Sequence, residues 1–173
     1  VYIALHRHFI GAYLPINSIR VREKALDDLY EDLCTGNLTN LKLHIESLFA
    51  GVAWRNFTNN DLPDSEGYYA SVLYAFFASL NAIIIPENIS NQGQVDLTII
   101  LGEHIYVMEI KLDQRKRFTV KTPNPALQQI IDKDYARQYL ASGKTVHQVG
   151  MIFHNKTRNL VQMEWEQKMV SSF

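Results

Sequence analysis

Two apolar runs, Gln94–Leu101 and His104–Leu112, meet at Gly102–Glu103, and this junction constrains the fold more than any other feature. A two-residue loop with glycine first suits a type II′ turn, whose twist matches that of paired antiparallel strands. Leu101 then pairs with His104, and facing residue numbers sum to 205. Asp96 falls opposite Glu109, and Gln94 opposite Lys111. Alternate residues share a face, so Lys111 lies beside Glu109. Two carboxylates directly across a ladder sit about 5 Å apart at Cβ and repel each other. A cation between them offsets that repulsion, and an all-oxygen ligand set suits Mg²⁺. An ammonium beside the pair is placed to hold an attacking water or neutralise a phosphate, the outline of metal-assisted phosphodiester hydrolysis. The competing reading is the solvated polar face that antiparallel sheets often carry. Against it, Ile105 and Val107 share the face, and Asp96 sits among Val95, Leu97, Ile99 and Ile100, so the acids border a core.

The flanking sequence supplies layers for this hairpin. Residues 21–34 read as an amphipathic helix, with Val21, Ala25, Leu29 and Leu33 near helical spacing. A second helix is expected over 39–50, capped by Thr39 or Asn40. Residues 1–20 read as short extended pieces ending in a turn near Pro15–Asn17. Asn59, Asn60, Asp61, Pro63, Asp64 and Ser65 form a breaker cluster. The strongest helix follows at 66–80, with Ser65 as its N-cap and a stripe through Tyr69, Leu73, Phe76, Phe77 and Leu80. Glu66 opens that helix on the side of Leu73 and Phe77, so it points toward the sheet, although a first-turn Glu is also favoured by the helix dipole alone. Ala82–Pro86 reads as a strand, 112–124 as a basic loop, 125–140 as a helix with Pro125 at its first position, and 146–154 and 159–165 as strands. The order α-β-β-β-α-β-β defines a mixed α/β (α+β) domain with a central sheet and helices packed on it.

Composition excludes several classes. Hydrophobic residues make up 47% and charged residues 20%, which rules out disorder. Cys34 is the only cysteine, so a disulfide framework and a cysteine-rich zinc site are excluded and a reducing compartment is expected. No apolar run approaches the ~18 residues of a membrane span. The start, VYIALHRHFIGAYLP, is broken by His6, Arg7 and His8 and lacks an initiator Met, and it reads as the cut end of a longer chain. The net charge of −1 hides an asymmetry: residues 1–110 carry 6 bases and 13 acids, and residues 111–173 carry 11 and 5. Such asymmetry can mark a polyanion-binding region.

The segments SEGYYASVLYAFF, GQVDLTI, IYVMEIKL, ALQQIIDKDYARQYL and VGMIFHNKTRNL, in that order, resemble the PD-(D/E)XK nuclease superfamily. More narrowly, the chain looks like the nuclease-like domain behind an AAA-type ATPase-like region in bacterial proteins, and LPINSIRVREK resembles the segment joining the two. The resemblance runs from about residue 14 and implies a restriction-endonuclease-like α-β-β-β-α-β core over 63–173, with residues 1–62 as a helical linker section at the tail of the ATPase-like region. It implies a cytoplasmic, Mg²⁺- or Mn²⁺-dependent nuclease acting on nucleic acid, with DNA the expected substrate. Asp96 and Glu109 would bind the metal with the Ile110 carbonyl and with Glu66 through water, and Lys111 would be the catalytic lysine. The family's helical Gln matches Gln129, and its downstream Tyr matches Tyr135; periodicity alone does not choose between Gln128 and Gln129. The family's Gly-Arg-x-Asp reads Gly93-Gln94-Val95-Asp96 here, which removes a cation beside the acid and motivates a second reading, a catalytically weak or inactive nucleic-acid-binding or regulatory module.

Arg115, Lys116, Arg117 and Lys121 after Lys111, with Lys133 on the following helix, are the candidate backbone-binding bases; the alternative is a solvated loop. His6 and His8 lack a ligand cluster, and His104, His147 and His154 are scattered and read as structural. There is no Gly-x₄-Gly-Lys phosphate loop, no Ser-His-Asp or Cys-His set, and Cys34 sits on an acidic helix that disfavours a thiolate. A domain that only packs on a protein partner is the third and weakest reading.

Overall fold

The computed structural model describes residues 19–51, 64–91 and 93–168. The expected turn at Pro15–Asn17, His6 and His8, and the breaker residues Asn59–Pro63 lie outside the described residues. Helix α1 (Ile19–Thr35) buries Leu26, Leu29 and Leu33. It stops at Gly36, whose φ of 72° is the left-handed conformation that closes helices. Helix α2 (Leu38–Gly51) buries Leu38, Leu41, Ile45 and Leu48 along one stripe. Its cap is Asn37, whose side-chain oxygen accepts the Asn40 N–H, rather than Thr39 or Asn40. Helix α3 (Glu66–Phe77) follows Ser65, which precedes the helix but makes no side-chain cap bond.

Strands β1 (Ile83–Ser90), β2 (Gly93–Leu101), β3 (His104–Asp113), β4 (Thr145–His154) and β5 (Asn159–Lys168) form one sheet in that order. All neighbours are antiparallel except β3 and β4, which are parallel. A parallel pair needs a long crossover, and helix α4 (Pro125–Asp132) supplies it. The β2–β3 register is the expected one, Leu101 with His104 and Leu97 with Met108. Gly102 has φ 54° and Glu103 is not among the residues with positive φ, as a type II′ turn requires. Strand β1 continues four residues past Pro86, which an edge strand tolerates because no partner needs the missing N–H there.

The pleat divides the core. Leu97, Ile99, Tyr106, Met108, Ile110, Met151 and Phe153 face α1–α3, where Phe153 packs edge-on to Phe49 at 4.8 Å and stacks on Tyr69 at 4.6 Å. Tyr106 fastens α1 to the sheet by donating to the Leu33 carbonyl. Ile105, Val107 and Val146 face α4 and a 3₁₀ turn over Tyr135–Tyr139. The helix expected over 125–140 is thus two pieces. Carried on at 100° per residue, α4 would bring Asp134 onto the buried stripe of Leu127 and Ile130. Instead Asp134 turns to φ 45° and pairs with Lys168, and Tyr135 and Ala136 face the core.

Helix α4 approaches the sheet closely because of Gly150, which pairs with Glu109 across β3–β4. A Cβ there would lie 2.2 Å from the Leu127 nitrogen, a backbone clash that no rotamer relieves. Asn124 caps α4 by accepting from Ala126 and Leu127, and it donates to the Gly150 carbonyl, so cap and contact form one joint. Gly150→Ala is expected to destabilise the protein by about 1–3 kcal/mol, the usual cost of overpacking, read as a lower denaturant midpoint at unchanged slope.

Candidate active site

Asp96 stands where β2 leaves both neighbours. The β1–β2 ladder passes over the Glu87–Asp96 pair, and the β2–β3 ladder ends at Leu97–Met108, one pair before Asp96 and Glu109. Glu87, across the gap, takes φ 47°, a strained conformation for a residue with a Cβ. The Asp96 side chain fills the gap by accepting the Ile110 N–H through Oδ2 at 2.8 Å. Asp96 is therefore held by the backbone of the strand that carries Glu109. The Gln94–Lys111 pair expected from the same register lies beyond the ladder; Gln94 instead pairs with Ile89 on β1 and is exposed.

Glu109 is 2% exposed. Its Oε1 accepts from Lys111 Nζ at 3.0 Å and from Gln129 Nε2 at 2.5 Å. Its Oε2 is buried and has no hydrogen-bond partner among the described residues. Lys111 also lies 3.9 Å from Glu66 Oε2, and Glu66 Oε1 accepts the Leu112 N–H at 3.0 Å. The structure thus gathers Asp96, Glu109, Lys111, Glu66 and Gln129, with the backbone of Ile110 between them. It also separates the two glutamines, since Gln128 turns away to donate to Asp132.

The electrostatics follow from burial. Desolvation, then the Asp96 charge, pushes Glu109 up to about 7, against the pull of Lys111. Asp96 is also raised, chiefly by burial, with the Ile110 N–H and Lys111 opposing. Burial works against the Lys111 ammonium, but the hydrogen bond and charge of Glu109, then Glu66 and Asp96, outweigh it and hold its pKa above the ordinary value. Each of the two central carboxylates commits one oxygen to the protein, Asp96 Oδ2 and Glu109 Oε1, and Glu109 leaves its other oxygen, Oε2, buried without a partner among the described residues. Hard oxygen donors, one of them an orphaned buried carboxylate oxygen, fit a small divalent cation.

The basic run behaves otherwise. Buried Asp113 accepts four bonds from the Arg115 side chain and backbone N–H, and it lies 3.4 Å from Lys121. The Arg115 bonds hold the Asp113 carboxyl well below the usual carboxylate range. Arg115 and Lys121 therefore brace the loop, while Lys116, Arg117 and Lys133 are exposed. His104 and His147 come together at 2.9 Å and stack with Tyr106, at the opposite end of β3 from Lys111. Asn124, Gly150, Asp113 and Glu87 escaped the sequence reading. Asn124-Pro125 carries a cap signature, and a lone glycine in an apolar strand signals close approach. Glu87 follows only once β1 is known to continue past Pro86.

The raised Glu109 pKa fixes a sign for stability. Between its ordinary value of 4.5 and about 7 the folded state binds more protons than the unfolded one. The protein without metal therefore loses stability as pH rises through this window, by about 3 kcal/mol at ~1.4 kcal/mol per unit. Glu109→Gln should remove that loss: denaturation at pH 8 finds the variant more stable than the parent, and at pH 4 the advantage disappears.

The profile of the PD-(D/E)XK nuclease superfamily matches residues 64–163, which include all five gathered side chains. A protein of Azotobacter chroococcum mcd 1, described as an uncharacterized protein in the vnfD 5′ region, is 30% identical over 158 residues. Those residues are 91% of this chain and 29% of that protein, so the chain spans under a third of its relative's length. No solved structure matches. The mixed sheet, its flanking helices and the profile match agree: this chain belongs to the PD-(D/E)XK nuclease superfamily.

Proposed function

We propose that the chain is a metal-dependent nuclease domain that hydrolyses phosphodiester bonds, with DNA as substrate. The observation that carries this is the buried Glu109 Oε2, without a partner among the described residues, beside Asp96 and the Lys111 ammonium. Mg²⁺ or Mn²⁺ would be held by Asp96 and Glu109, with the Ile110 carbonyl and, through water, Glu66. Bound there, the ion offsets the two carboxylates and supplies a Lewis acid for a phosphodiester oxygen.

The chain's own groups do the rest. The Ile110 N–H fixes Asp96, and Gln129 and Lys111 fix Glu109, so the carboxylates are oriented before substrate arrives. Lys111, charged at neutral pH and tethered on two sides, orients the attacking water or stabilises negative charge gathering on the phosphorus oxygens. Lys116, Arg117 and Lys133 supply exposed positive charge for the strand, with Arg115 and Lys121 acting through the loop they brace.

The domain is further proposed to comprise residues 63–173, with residues 1–62 linking it to an ATPase-like region of the same protein in the cytoplasm. The greater length of the Azotobacter relative is compatible with a larger parent chain. No helix among the described residues is long and apolar enough to cross a membrane. One observation favours a second reading, a binding or regulatory module: Gln94 stands where the family has arginine.

Cleavage of plasmid and single-stranded DNA in Mg²⁺ or Mn²⁺, with calorimetric metal titration, separates the two. Asp96→Asn and Lys111→Ala are each expected to lower the rate by about 10²-fold or more, as losing a charge-stabilising group does. Asp96→Asn should also weaken metal binding, and Lys111→Ala should leave it in place. Undiminished cleavage by either variant sinks the assignment, and nucleic-acid binding without metal binding supports the second reading.

A further inference from the structure

Strand β3 ends at Asp113, two residues past Lys111, and the loop that follows is tied to the protein at both ends. At its start, Arg115 spends its guanidinium and its N–H on the buried Asp113 carboxylate. Arg115 Nη2 also donates to the Thr119 carbonyl at 3.1 Å, which closes residues 115–119 into one turn. His154, at the end of β4, donates Nε2–H to the Arg115 carbonyl at 2.9 Å, since a carbonyl only accepts. At the far end, Gln162 on β5 accepts the Lys121 N–H at 2.9 Å and donates to the Lys121 carbonyl at 2.8 Å, as a neighbouring strand would. Asp113 thus neutralises Arg115 and Lys121. Lys116 and Arg117, between the ties, are exposed and have no carboxylate within ion-pair distance among the described residues.

Two consecutive cations on a tied turn repel each other, and an anion removes that cost. A turn already ordered by its own bonds also gives up little further entropy on holding one. Asp113 lies about 7 Å along β3 from Lys111, at ~3.3 Å per residue. The turn therefore begins within a nucleotide's length of the phosphate that Lys111 would meet. We propose that the turn over Arg115–Thr119 is a phosphate subsite: Lys116 and Arg117 hold a phosphate of the cleaved strand beside the scissile one, and Asp113 is the positioning residue that fixes them. Asp113 acts through Arg115 and touches no substrate. The inference rests on the nuclease reading of the neighbouring acids and gives the strand a second point of attachment. It also separates two accounts of the basic run. If the run bound nucleic acid by charge alone, removing the Asp113 charge would free Arg115 and Lys121 and tighten binding. A subsite held in shape by Asp113 is weakened by the same change.

The test is cleavage by the full chain, in Mg²⁺, of a labelled oligodeoxynucleotide in which each linkage in turn is a neutral methylphosphonate, with products read by length. In the parent, cutting should fall about 10-fold at a fixed offset to one side of the neutral linkage, the scale of one hydrogen bond to a charged group. Lys116→Ala combined with Arg117→Ala should abolish that neighbour effect. Asp113→Asn should do the same. So should Arg115→Lys, which keeps the charge, loses the planar fork and leaves the buried carboxylate in place. On the unmodified oligonucleotide all three variants should raise KM and leave kcat in place, whereas a mere loss of folded protein lowers kcat. No neighbour effect in the parent, or one that survives the double alanine variant, overturns the subsite. A neighbour effect that survives both Asp113→Asn and Arg115→Lys, or tighter binding in Asp113→Asn, overturns the positioning role. No cleavage of the unmodified oligonucleotide by the parent overturns the nuclease reading, and the inference with it.

Discussion

Two carboxylates brought together at the edge of a dry core set the terms for everything around them. Burial raises the pKa of both Asp96 and Glu109, and the Asp96 charge raises that of Glu109 further. A sheet built for stability alone would avoid such a pair, since like charges facing across strands are destabilising. Here the sheet opens instead: β2 lets go of β1 and β3 at the same residue, and the freed Ile110 N–H goes to the Asp96 side chain. The acid pair and the backbone irregularity are one feature, because regular pairing at Asp96 would leave its carboxylate no donor from β3.

Both layers of the fold converge on that opening. From one side, α3 delivers Glu66 onto the Leu112 N–H and within 3.9 Å of Lys111. From the other, α4 delivers Gln129 onto Glu109. The second delivery depends on a chain of local requirements. Gly150 admits the helix, and Asn124 caps it and ties it to that same glycine. The break at Asp134 then lets Tyr135 and Ala136 complete the core without burying a charge. Gly150 faces Glu109 in the register, so the absent side chain and the buried acid are neighbours by construction.

Much of this was legible because the hairpin register is arithmetic. Once Gly102–Glu103 is read as a two-residue loop, the Leu97–Met108 pairing and the nearness of Asp96 to Glu109 follow. The gap at Asp96 did not follow, since ladder arithmetic assumes that pairing continues. Helix α4 was half legible: Pro125 marks its start, but its end is set by which residues reach the core, and that depends on the sheet beneath. Gln129 was undecidable by periodicity because it lies on neither the buried stripe nor the exposed face; it flanks the stripe, where a side chain reaches sideways to Glu109. Residue types also misled. The bases after Lys111 read as one polyanion-binding run, yet Asp113 in their midst is buried and binds Arg115 and Lys121 to itself.

That last pairing changes how the charge asymmetry acts. Formal charge changes sign at Lys111, but the field an approaching phosphate backbone meets depends on which cations remain unpaired. Lys111 is committed to Glu109 and Glu66, and Arg115 and Lys121 to Asp113. Lys116, Arg117 and Lys133 are exposed. Fewer cations of the basic run are therefore free to meet a strand than its formal charge suggests. A divalent ion between Asp96 and Glu109 would offset the negative charge of that pair and attract a phosphate to it. Substrate affinity and metal occupancy are in that case coupled through the same two carboxylates, rather than being independent properties of a basic surface and an acidic pocket.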